Sequence, residues 1–277
     1  MKKKGVLFQY IRHDIRSGIF GQRGKYIAAL IIFLFLCASA YRLVCFVGIR
    51  SETLPNPTMG DYLYKLLMGM KVYRPGDKEF EVNVLWMLVN FFLAYIVSFY
   101  PFKDLHGYGQ LMLIRSQKRD TWWFGKCIWN IGCVTLYYVI IWLVAAVFAL
   151  CTGGNLSLIP NAEVQNLIGG GGVEELTVGT MLLHAFLYPW LASLAVSLLQ
   201  MTVSLLTQPI IGILTVCVVL AISVFTTSVL APGNYLMLMR YYVPNPWGLG
   251  CLCLIAIAVL SAVVGYFSFK KRDIFSA

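Results

Sequence analysis

Charge is scarce in this chain. Only 12% of its 277 residues are Asp, Glu, Lys or Arg, and 59% are hydrophobic. A soluble domain is about 25% charged and about 45–50% apolar, so a water-exposed globular class is excluded. The scarcity is uneven. Six apolar runs, 26–47, 82–102, 127–150, 180–206, 210–231 and 249–269, contain no Asp or Glu; all twelve acids fall outside them. Ion-coupled carriers usually keep a carboxylate inside the membrane as coupling site or proton relay, so that class loses ground. Catalytic signatures are missing too: there is no HExxH and no G-x-S-x-G. Gly125-Lys126 has neither the upstream glycine nor the following Ser/Thr of a phosphate-binding loop, so the chain does not hydrolyse ATP alone. No CxxC or Cys/His metal spacing occurs. The eight cysteines lie within or at the ends of the apolar runs and read as buried free thiols.

A membrane span needs about 20 mostly apolar residues, and the six runs meet that length. The fold class is therefore all-α and polytopic, a single transmembrane domain over 1–277 with six spans and no nucleotide-binding domain. The fourth run contains Pro189, which predicts a kink, and Thr207-Gln208-Pro209 predicts a tight hairpin before the fifth. Lys and Arg set the orientation. Seven lie in the first 25 residues, five in the segment 103–126 and three at 270–272, against six on the opposite side. Both termini and the 103–126 loop are thus expected in the cytoplasm of a bacterial cell membrane. The net charge of +10 then reflects topology and attraction to anionic lipid, with no nucleic-acid partner.

Residues 5–20 read as an amphipathic interfacial helix. Leu7, Ile11, Ile15 and Ile19 recur every four residues, Gln9, Arg12, His13 and Arg16 take the other face, and the chain turns upward at 21–24. A loop at 169–172 is four glycines, a flexible tether. Leu236-Met237-Leu238-Met239, between Pro232 and Pro244, predicts a short re-entrant or interfacial helix between the fifth and sixth spans. Polar residues inside the spans are few. Asn90 is one; Ser193, Ser197 and Gln200 share a face at spacings of four and three. Two readings stand for them: hydrogen bonds between helices, or the lining of a wet or amphiphile-binding path.

The loop 103–126 is longer than a turn requires. It carries five Lys/Arg against two Asp and a short apolar stretch at 111–114. That composition suits a surface helix beneath a membrane, available to a partner. Trp122 and Trp123 anchor the following span at the interface, and Asp120 suits its N-cap.

These features together resemble the permease subunits of ABC-2 type ABC transporters. The carriers of the resemblance are the basic amphipathic N-terminus, six spans with a hairpin after the fourth, and the Asn245-Pro246 element before the sixth. The inner loop adds Gly109, the apolar 111–114, Arg115 with Arg119, and Gly125-Lys126, in the places where that family keeps a coupling helix and its entry into the third span. Asp104 stands where the family carries an acidic residue. The resemblance implies a subunit that binds no cofactor itself and is driven by ATP and Mg on separate ABC ATPase subunits. Leu111 and Ile114 would meet that partner as apolar contacts; Arg115, Lys118 and Arg119 would pair with its acidic residues. Gly109, Gly125 and Lys126 complete the coupling set. A second permease subunit, the same or a related chain, would complete the path, with Asn90, Ser193, Ser197 and Gln200 as lining. The cargo class implied is an exported amphiphile such as a peptide antibiotic, lipid or drug. The competing expectation is a membrane binding, immunity or sensor subunit that sequesters a peptide without transport. An intramembrane enzyme is disfavoured because no catalytic set is present.

Overall fold

A computed structural model describes residues 3–48, 56–74, 76, 80–116, 118–168, 176–241 and 247–271. Its regular elements are all helical, with no strand among the described residues. Five helical stretches are long and apolar enough to cross a membrane: Leu7–Phe46, Val84–Leu105, Arg119–Cys151, Val178–Leu206 and Gly248–Lys271. A sixth apolar helix, Pro209–Phe225, is shorter at 17 residues. These lengths and compositions are those of a multi-pass membrane protein.

The chain begins with α1 (Lys3–Asp14), passes through a wide turn at Ile15–Ile19 and a tight one at Phe20–Gln22, and continues as α2 (Arg23–Gly48). The expected break at 21–24 is only a change of helical winding. The buried face also differs from the expected one. Tyr10, Asp14 and Gly18 face inward, whereas Ile15 is 41% exposed and Phe8 65%. The cause is close packing on α7 (Arg119–Cys151): a side chain at Gly18 would strike Trp129 and Tyr100. The apolar stripe read from the sequence is therefore split: Ile15 is exposed, Leu7 and Ile11 are partly so, and Ile19 packs against the core.

Helix α3 (Met59–Leu67) opens with a capping box between Thr58 and Asp61. Asp61 also accepts from Asn161 N at 3.0 Å and Gln165 Nε2 at 2.7 Å, which fastens α3 to α8 (Ala162–Ile168). Asn83 caps α4 (Val84–Ser98), its Oδ1 accepting from Leu85 N and Trp86 N. Short α5 (Tyr100–Leu105) and α6 (Tyr108–Ser116) follow. The 33 residues of α7 span about 50 Å at 1.5 Å per residue, well beyond the ~30 Å of a hydrocarbon core. Its first turns, before Cys127, therefore extend past the apolar run.

After α9 (Val178–Met181) the helix widens at Leu182–Leu187 and resumes as α10 (Tyr188–Leu206). Pro189 sits in the second position of α10. Its missing N–H explains why the ladder changes register there, where a kink is expected. Helix α10 is the centre of the bundle and is buried along most of its length against α4, α7, α11 and α12. The turn at 207–208 leads into α11 (Pro209–Phe225), with Pro209 in its first turn.

Helix α11 stops at Phe225, six residues short of the run read to 231, because Thr226 turns to extended backbone. The chain then folds inward as two tight turns, Pro232–Leu236 and Leu238–Arg240, in place of a single short helix. Both are buried. Trp86 Nε1 donates to Leu236 O at 2.8 Å, and Met239 N to Met68 O at 2.9 Å. Helix α12 (Trp247–Lys271) closes the bundle. The Asn245-Pro246 element, the glycine tether at 169–172 and the tail beyond 271 lie outside the described residues.

Candidate functional site

The segment 103–126 folds against the N-terminal helix through a buried ionic cluster. Lys126, on the second turn of α7, is fully buried, and its ammonium pairs with two carboxylates. One is Asp14 Oδ1 of α1; the other is Asp104 Oδ2 of α5, at 2.7 Å. Asp14 Oδ1 also accepts from Tyr100 OH at 2.8 Å. Asp104 accepts from Trp122 Nε1 at 3.2 Å, and its Oδ1 lies 3.1 Å from His13 Nε2. The rings of Tyr100 and Trp122 lie 4.7 and 5.1 Å from the ammonium, adding cation–π attraction. Tyr10 OH and Ser116 Oγ, 2.8 Å apart, tie α1 to the end of α6. One charged centre thus joins α1, α5 and α7, and Tyr10 extends the junction to α6.

His13, Asp14 and Asp104 each bring a potential ligand atom within 4.8 Å of the others. That donor set would suit a cation, and Lys126 supplies one: its ammonium bonds both carboxylates. The cluster therefore carries its own cation, while Asp14 Oδ2 stays buried without a hydrogen-bond partner among the described residues. Removing a member would leave a desolvated charge without its counter-charge.

The sequence-predicted coupling residues divide into two groups. Gly109 is buried, packed on the Asp104 carboxylate and backbone carbonyl, and Gly125 faces Tyr10 and Asp14. Lys126 is enclosed as described, so these three act within the chain. Arg119 Nη1 donates to Lys270 O at 2.9 Å, placing a cation on the last turn of α12, where carbonyl groups lack helical partners. Lys118 is half-buried. The remaining three form an outward face on α6. Leu111 is 56% exposed, Ile114 48%, and Arg115 is exposed, while Leu113 turns inward. Trp122 stacks on Phe269 and Trp123 Nε1 donates to Ala262 O at 3.0 Å, so the start of α7 is locked to α12.

Asn90, Ser193, Ser197 and Gln200 all border one small crevice between α4, α10 and α11. Its volume of about 20 Å³ suits water, not a peptide or lipid tail. Three of the four also bridge helices. Ser193 Oγ lies 2.8 Å from Tyr138 OH, Ser197 Oγ donates to Asn130 Oδ1 at 2.7 Å, and Gln200 Nε2 donates to Ala94 O at 2.7 Å. Asn90 Nδ2 instead returns to Trp86 O on its own helix at 2.8 Å.

Two centres escape sequence reading. His13 and Asp14 look like a polar face of α1; the spacing of Tyr10, Asp14 and Gly18, one small or polar residue per turn, is the signal that could have found them. Arg240, one of the six Lys and Arg counted on the side opposite the termini, is buried. It donates to Ser223 O and Val224 O at 2.7 Å, Met70 O at 3.1 Å, Lys71 O at 3.2 Å and Thr226 O at 3.3 Å, and to Asn234 Oδ1. A guanidinium at the end of α11 thereby satisfies carbonyl groups left over by the helix terminus.

Comparison with curated proteins finds no match, and neither does comparison with solved structures. A family described as a protein of unknown function, DUF2705, matches residues 76–275. That range runs from just before α4 through α12 and includes α5, α6 and the Lys126 region. The chain belongs to the DUF2705 family.

Proposed function

We propose that this chain is the membrane-spanning permease subunit of an ABC transporter, driven by a separate ATPase subunit that docks on α6. The observation that carries this reading is the division of labour in the loop. A short helix presents Leu111, Ile114 and Arg115 outward. Behind it, Asp104, Lys126 and Asp14 weld the loop to α7 and α1. An exposed apolar pair beside a cation is a docking surface for a groove with acidic edges. The buried weld would carry a push on that surface into a spanning helix instead of letting it dissipate in a loose loop.

In this reading α11 is the sixth span. Its 17 residues reach about 25 Å, the short end of what crosses a bilayer. The buried turns at Pro232–Arg240 pack beneath its far end. Both termini and α6 lie in the cytoplasm. Two such chains, or this chain and a related one, enclose the path, and an amphiphilic cargo is exported. Docking falls to Leu111, Ile114 and Arg115, while Arg119 and Lys126 hold the mount in place.

The test is ATPase stimulation in reconstituted vesicles. Leu111→Asp with Arg115→Glu is expected to leave insertion and thermal stability unchanged while lowering transport-linked ATPase activity at least tenfold. Full stimulation by a folded double variant would sink the proposal.

A further inference from the structure

A second site lies at the end of the bundle away from the ionic cluster, where the segment after α3 meets the start of α4. There Lys65, Met68 and Lys71 on one side and Phe80, Glu81 and Val82 on the other border a cavity of about 390 Å³. That volume is in the range of small-molecule pockets, roughly 300–1,000 Å³. Met68, Phe80, Val82 and Met239 give it an apolar strip within a lining that is otherwise mostly polar.

Among the described residues that border it, two lysines face one carboxylate. Lys65 is half-buried, and among the described residues its ammonium has one hydrogen bond, to Ile168 O at a long 3.4 Å. Burial pulls its pKa below the usual lysine range, because desolvation penalises the charged form. Lys71, on the same cavity border, is exposed. The N-terminus of α4 also borders the cavity, its Leu85 and Trp86 N–H groups already taken by the Asn83 cap. Among the described residues of the lining, Glu81 is the opposing charge. At the same border Val84 is 71% exposed and Leu85 37%, on the first turn of an apolar helix. The cavity thus joins a cationic wall to an apolar surface of the kind that meets lipid.

We propose that this cavity binds an amphiphile with an anionic head group, a phosphate or carboxylate held by Lys65 and Lys71, its chain lying over Met68, Phe80 and Val82. The same chemistry is offered by an anionic phospholipid of the bilayer and by a free anionic amphiphile. The site does not involve α6, so it stands whether or not the ATPase-coupling reading holds.

Native mass spectrometry of the full chain in non-ionic detergent, titrated with dodecyl phosphate, tests it. One equivalent is expected to bind. Lys65→Gln with Lys71→Gln should weaken binding at least tenfold, and Glu81→Gln should tighten it. Glutamine at 65 retains a donor for Ile168 O, and an unchanged melting temperature confirms that the variant is folded. Added phosphatidylglycerol separates the two sources: displacement of dodecyl phosphate assigns the site to bilayer lipid, and its absence to a free amphiphile, either result supporting an anionic head-group site. Equal binding of uncharged dodecyl maltoside, or undiminished binding by the folded double variant, would overturn the proposal.

Discussion

Lys126 sits where an ammonium ion cannot stand alone. Its two carboxylates come from elements 112 and 22 residues away in sequence, and all three side chains are almost entirely buried. Lys126→Met would leave two desolvated carboxylates without their cation, and a loss of roughly 3–5 kcal/mol is expected. Adding Asp14→Asn and Asp104→Asn should recover most of it. Thermal unfolding in detergent reads both outcomes; a single variant as stable as the parent would show that the cluster bears no load. Asp61 gives a pH-dependent counterpart. Burial lifts its carboxyl above the usual range, outweighing the donors from Thr58, Gln165 and Asn161 that pull it down. A raised folded-state pKa contributes stability that is present below the unfolded value, near 4, and is lost as pH rises through the folded one. The melting temperature of the parent, relative to Asp61→Asn, should therefore fall as pH is raised upward from about 4. A flat or rising difference would contradict this.

At the scale of elements, close approach decides the packing of α12. A side chain at Gly265 would meet the Trp123 ring and, at 2.8 Å, Thr202 Oγ1. Gly265→Val is expected to lower stability by about 1–3 kcal/mol by forcing α12 away from α7 and α10. The expected companion signal is a change in Trp fluorescence, since Trp123 lies at the contact. The same scale shows what the sequence could convey. Helix existence followed from long apolar runs, and the 207–208 hairpin from Pro209, because both signals are local. The inward face of α1 was not legible, since Leu7, Ile11, Ile15 and Ile19 form the more obvious periodic stripe. Only the partner surface, Trp129 and Tyr100 against Gly18, selects Tyr10 and Asp14 instead. The early end of α11 was hidden for a similar reason: Val229, Leu230 and Ala231 are apolar enough to continue it. What shapes the chain there is Arg240, 15 residues beyond the helix end, which holds the Ser223, Val224 and Thr226 carbonyl groups.

On the scale of the whole molecule, the bundle has two differently built ends. One gathers α1, α5, α6 and the start of α7 around Lys126, with α12 fastened on by Arg119 and Phe269. The other gathers α3, α8 and the turns at Pro232–Arg240 around Asp61 and Arg240. Helix α7 runs between them without interruption. In the proposed function, a push on α6 would pass along this one helix from one end to the other. Composition made the membrane class legible. Of the residues expected to couple, Leu111, Ile114 and Arg115 lie outward, whereas Gly109, Gly125 and Lys126 are spent inside the chain. The central claim is that α6 receives an ATPase. Photo-crosslinking from a benzoylphenylalanine placed at Leu111 or Ile114, in membranes of cells producing the full chain, tests it most directly. The account predicts capture of a protein whose sequence carries a Walker A motif, lost when Arg115→Glu is added. Crosslinks to lipid alone, or to the same proteins with and without Arg115, would contradict it.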